Sequence, residues 1–147
     1  MIRCRRGIEG MPLKLAVTAL VIALSMPLLA EASSGFENDI KRERCRRLAE
    51  AVRDRAEEAV AAGPGNVRVL LLSEIAGSAG LRLSLGGMAD EKDRIVVSAD
   101  SVRVEVRCVA PRVLFNGTLD TEAGHWLLYL EAIAPDAGSN LDARRLT

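Results

Sequence analysis

Apolar and polar positions follow three successive regimes along the chain. Residues 15–30 carry no charge, with Lys14 before them and Glu31 after them. The helix of a soluble core would show a polar face, and this stretch shows none, so it predicts a helix suited to an apolar medium. Residues 36–62 then take the period of a helix packed along one side. Projected at about 100° per residue, Cys45, Leu48, Val52, Ala56 and Ala59 form one stripe, and Arg42, Arg46, Glu50, Arg53 and Glu57 lie opposite. Glu43 with Arg47, Arg46 with Glu50, and Arg53 with Glu57 stand four apart, each pair adding about 0.2–0.5 kcal/mol. Gly63 and Pro64 stop the helix.

After Asn66 the period falls to two. Val67, Val69 and Leu71 alternate with Arg68 and Leu70; Leu81, Leu83 and Leu85 with Arg82 and Ser84; Val102, Val104, Val106 and Cys108 with Arg103, Glu105 and Arg107. A strand with one apolar and one charged face belongs to an antiparallel sheet covered on one side. Residues 94–98, 112–119 and 125–133 read as further strands, the last with Trp126, Leu128 and Leu130 on one face. Turns fall at residues 77–80, 86–87, 89–93 and 122–124. The expected fold class is α+β: an N-terminal apolar helix, then an amphipathic helix packed on a five- or six-stranded antiparallel β-meander sheet. The Gly-, Ser- and Asp-rich residues 135–147 read as a flexible tail.

Charge and composition narrow the function classes. Basic and acidic side chains balance at 20 each over 147 residues. A nucleic-acid binder needs a basic surplus to neutralise phosphates, and a polybasic membrane patch needs the same. Phe36, Phe115, Trp126 and Tyr129 are too few and too scattered to make a stacking platform. Glutamine is absent and Arg far outnumbers Lys, a bias that heat adaptation and a GC-rich genome explain equally well.

The N-terminus admits two readings. In the first, a secretory signal begins at Met11, with Lys14 as its charged region, and is cut between Ala32 and Ser33 after the small residues of Ala30-Glu31-Ala32. Residues 1–32 are then removed and a soluble binding domain is released. In the second, the residues before Met11 matter. Arg5-Arg6-Gly7-Ile8-Glu9-Gly10-Met11-Pro12-Leu13-Lys14-Leu15 resembles the class III signal of archaeal type IV pilins and pilin-like proteins. An apolar run, an amphipathic helix and Gly63-Pro64-Gly65-Asn66 leading into a β-rich region also resemble the layout of that family, over roughly the first half of the chain. Glu9 stands two residues after the cut, where bacterial pilins place a glutamate at the fifth position, and Lys14 interrupts the apolar run.

The resemblance implies cleavage by a prepilin peptidase between Gly7 and Ile8. Residues 1–7 are then a leader and residues 8–32 a retained helix that holds the chain in the membrane through residues 13–30 and packs with its copies. Residues 33–134 form a domain outside the cytoplasm, followed by the tail of 135–147. Arg3, Arg5, Arg6 and Lys14 ahead of the apolar run agree with that orientation. As a helix, residues 13–30 rise about 27 Å against a typical ~30 Å hydrocarbon core.

Candidate chemistry is sparse, and no catalytic residue, metal or cofactor is expected. His125 is the single histidine, and Cys45 and Cys108 lack a nearby CxxC or CxxH partner. Ala76-Gly77-Ser78-Ala79-Gly80 lacks the first glycine of a nucleophile elbow and lies between strands. Asp90, Glu91 and Asp93, interleaved with Lys92 and Arg94, read as a solvated turn. Asn116-Gly117-Thr118 fits a hairpin turn and also the N-glycosylation acceptor pattern. In an oxidising compartment Cys45 and Cys108, both on apolar faces, are expected to pair as a disulfide; the alternative is two buried free thiols.

Overall fold

The computed structural model describes residues 10–73, 80–87, 89–109, 112–122, 124, 126–136 and 138–146. It divides into two units, Met1–Asp39 and Ile40–Thr147. One helix, α1 (Gly10–Ala62), supplies the described part of the first unit and begins the second. The apolar and amphipathic helices expected from the sequence are thus one, with no break at residues 33–35. The Ser33 hydroxyl donates to the Ala30 carbonyl and that of Ser34 to the Glu31 carbonyl, both at 3.0 Å, so the polar side chains fold back onto their own helix. A lone glycine costs such a helix only about 1 kcal/mol.

Within the second unit the stripe forms as expected. Cys45, Leu48, Val52, Ala56 and Ala59 are fully buried, with Ala49 beside them. Arg46 pairs with Glu50 at 3.0 Å and Arg47 with Glu43 at 2.9 Å, whereas Arg53 turns to Asp54 rather than Glu57. The helix ends where Gly63 and Gly65 take positive φ, and the Asn66 amide donates to the Ala62 and Gly63 carbonyls at 2.7 and 2.9 Å.

Among the described residues seven strands follow, and they form two antiparallel sheets instead of one meander. β1 (Val67–Leu71), β6 (Leu127–Asp136) and β7 (Ser139–Leu146) make a three-stranded sheet in the order β1-β6-β7. β2 (Arg82–Leu85), β3 (Arg94–Ala99), β4 (Val102–Arg107) and β5 (Leu119–Glu122) make a four-stranded one in the order β4-β3-β2-β5, with a short 3-10 turn, Ala89–Glu91, before β3. The α+β class holds: one helix packed on two antiparallel sheets around a shared apolar core.

Three local expectations are corrected. Residues 112–119 are not one strand. Residues 112–116 form an irregular tie: Leu114 N–H donates to the Asn140 side chain (2.7 Å), Asn116 N–H to Leu141 O (2.7 Å), and Phe115 N–H to Lys92 O (2.8 Å). Val113 and Phe115 fill the space between the sheets, so core packing decides their backbone rather than ladder pairing. The sequence past residue 135 is not a loose tail either, because Ser139–Leu146 pairs along β6 and buries Leu141 completely. In β1 the inward face is Leu70 and then Leu72, while Val69 is 48 % exposed. A nearly unbroken apolar run carries no alternation from which to choose a face.

The helix and the four-stranded sheet share a direction. Lys41 donates to Asp100 at the β3–β4 turn (2.8 Å), and Cys108, just past β4, feels Glu57, Arg53 and Asp54. From Lys41 to Arg53 the helix rises about 18 Å, and from Val102 to Cys108 the strand rises about 20 Å, so the two run side by side.

Candidate functional site

In the first unit, α1 presents apolar side chains on every side. Leu15 is 70 % exposed, and Leu20, Ile22, Leu24, Met26, Leu28 and Leu29 are exposed as well. The most apolar 18-residue stretch has a mean hydropathy of 2.1 and none of it is buried. Among the described residues this is the one helix long and apolar enough to cross a membrane, which makes it a candidate membrane anchor. Thr18 and Ser25, its polar interruptions, donate to Lys14 O and Ile22 O, so their hydroxyls need no outside partner. Pro27 sits inside the helix. Gly7 and Ile8 lie outside the described residues, and Ala32 and Ser33 are exposed helical positions.

In the second unit the outer face of the four-stranded sheet holds a groove of roughly 420 Å³, lined by Ser84, Arg94, Val96, Ser98 and Arg103 among others. The antiparallel register builds it: Val96 stands between Ser84 and Glu105, and Ser98 between Arg82 and Arg103. Of its charged lining residues Arg94 and Asp100 are paired, while Arg103 forms no ion pair among the described residues. Arg94 pairs with Glu91 at 2.7 Å and Glu105 at 3.0 Å, and Asp120 takes both Arg82 nitrogens at 2.7–2.8 Å. Those hydrogen bonds hold the Asp120 carboxyl below its ordinary pKa, as the Lys41 bond does for Asp100. Ser84 donates to Asp120 at 3.1 Å. Asp93 reaches Arg107 at 3.8 Å, so Glu91 and Asp93 of the acidic turn face cations of their own chain. Among the described residues, no three of the metal-ligating types meet.

Of the remaining sequence candidates, His125 and Ser78 lie outside the described residues, and Asn116 is exposed on a bend between Phe115 and β5. The expected Cys45–Cys108 disulfide is not formed; both are buried free thiols. The register of helix on strand explains it. Cys108 lies against the turn of Arg53 to Glu57, and Cys45 is at least eight residues earlier, about 12 Å along the axis, beyond the ~7 Å Cα separation a disulfide spans. Burial raises both thiol pKa values, that of Cys108 to about 12 with help from Glu57 and Asp93.

The groove escaped sequence reading because its register brings together residues from three strands and a turn. The only local signal was the alternation of charged positions in β2 and β4. No protein-family model, no curated protein and no solved structure matches this chain.

Proposed function

We propose that this chain is a membrane-anchored type IV pilin-like subunit with a structural or assembly role in an archaeal surface filament or secretion apparatus. A prepilin peptidase would cut between Gly7 and Ile8, residues 13–30 would stay in the cell membrane, and the α+β domain would stand outside. What carries the reading is the division of labour within one continuous helix. Its apolar beginning is exposed on all sides, and its amphipathic end buries a single stripe in the β domain. A removable signal needs no helical continuation into the folded domain, whereas a stalk does. The Arg5-Arg6-Gly7-Ile8 junction supports the same cut.

The test is N-terminal sequencing of the mature protein from membranes of the native host. The proposal expects Ile8 as the first residue, and Gly7→Phe to leave an unprocessed precursor in the membrane. A mature chain that begins at Ser33 and is found free in the medium overturns it in favour of a soluble secreted domain.

A further inference from the structure

The groove on the outer face of the four-stranded sheet has two unlike ends. At the β3–β4 turn, Ser98, Ser101 and Arg103 line it together. Among the described residues Arg103 forms no ion pair, and the hydroxyls of Ser98 and Ser101 form no hydrogen bond. Arg82, across Ser98 from Arg103, is held by Asp120, and Asp100 by Lys41, which leaves Arg103 uncompensated. At the other end, about 13 Å along β3, stands Arg94. There Arg94 and Arg107 meet Glu91, Asp93 and Glu105, so this end is negative on balance. The Arg94 Nε is buried and has no hydrogen-bond acceptor among the described residues, a costly state for a donor. Val96, 9 % exposed, makes the floor between the two ends. The groove's volume, roughly 420 Å³, is that of a small-molecule site.

We infer that this groove binds a singly charged acidic sugar, a hexuronate, with its carboxylate on Arg103. A guanidinium fork fits a carboxylate in two parallel hydrogen bonds, and one uncompensated cation calls for one anion. Ser98 and Ser101 each offer a donor and acceptors to the ring hydroxyls. The carboxylates beyond Val96 accept from further hydroxyls but repel a second anion, which disfavours polyphosphates and acidic peptides in the same groove. A hydroxyl-rich, charged lining likewise disfavours a purely apolar acid. A small turn of the Arg94 side chain brings its Nε to a sugar oxygen. The lining holds no aromatic ring to stack on a pyranose, so the expected dissociation constant is weak, on the order of 1 mM. Every residue of the groove lies in the second unit, so the inference stands apart from the membrane-anchored reading.

Saturation-transfer NMR on the full-length protein in detergent micelles tests this, with sodium glucuronate as the probe and glucose and acetate as its two halves. Melting of each variant confirms that it folds. Glucuronate should bind near the millimolar range, less well as salt rises, and glucose and acetate at least about tenfold more weakly. Arg103→Met should weaken glucuronate roughly tenfold and Ser98→Ala roughly threefold. Digalacturonate, which carries a second carboxylate, should bind no better than the single sugar, because that charge would meet Glu91 and Glu105. Glucuronate that receives no saturation at about ten times the expected constant overturns the inference. So does binding that glucose or acetate matches, that Arg103→Met leaves unchanged, or that the second carboxylate strengthens.

Discussion

Cys108 is 2 % exposed just past β4, in a place that withholds water from its thiolate and sets more negative than positive charge near it. Burial, then the negative charges of Glu57 and Asp93, raise its pKa from 9.0 to about 12. In the unfolded chain the thiol ionises near its ordinary value, so between about pH 9 and pH 12 the folded state holds more protons than the unfolded one. Stability is therefore undiminished below pH 9 and falls as the pH rises through that window. Cys108→Ala should flatten this alkaline decline while leaving the acid limb of the curve unchanged; urea midpoints from pH 7 to pH 11 measure it. Parallel midpoints for the two proteins across that range would refute the assignment. The apolar setting of both cysteines was legible in the sequence, because it needs only the period of each element. Their separation was not, because it depends on which turn of the helix meets which end of a strand.

β7 shows how much an element can owe to contacts far away in the sequence. Its residues look like a tail: Asp, Arg and Asn interrupt them, and no clean apolar alternation survives. Yet Leu141 is fully buried opposite Ala132, and the Asn140 amide donates to Arg112 O (2.8 Å) while its oxygen accepts from Leu114 N–H. The strand thus closes the three-stranded sheet and fastens the tie that carries Val113 and Phe115 into the core. Leu141→Ala should cost about 2–5 kcal/mol, the usual range for emptying a buried leucine site. A flexible tail would predict no change, so a wild-type denaturation midpoint for this variant would contradict the role given to β7. The helix stripe, β2 and β4 were readable in advance because each has a strict period and a polar face. β1 and residues 112–119 were not, since apolar residues on both faces leave orientation and pairing to the tertiary packing.

At the scale of the whole molecule, the two units differ in what surrounds them. The core of Ile40–Thr147 draws on α1 only from Cys45 onward, and everything inward-facing there is covered by the two sheets. The apolar side chains of residues 13–30 contribute nothing to that core, so removing them should leave the domain's stability intact. Their exposed leucines, valines and isoleucines nevertheless present far more contiguous apolar surface than a soluble monomer ordinarily leaves in water. The expectation follows on both sides. A chain comprising residues 36–147 should stay in the supernatant without detergent and unfold in one cooperative transition. The full-length protein should sediment with membranes, resist extraction by salt or alkaline carbonate, and unfold in detergent at nearly the same denaturant concentration as the fragment. The cut at residue 36 is a mild one, since none of the described side chains it removes is buried and the first buried one, Cys45, lies more than two turns beyond it. A fragment that aggregates or fails to fold would show that residues 13–35 complete the domain's core instead of anchoring it. A full-length chain extracted by carbonate would show that the apolar helix does not span the bilayer.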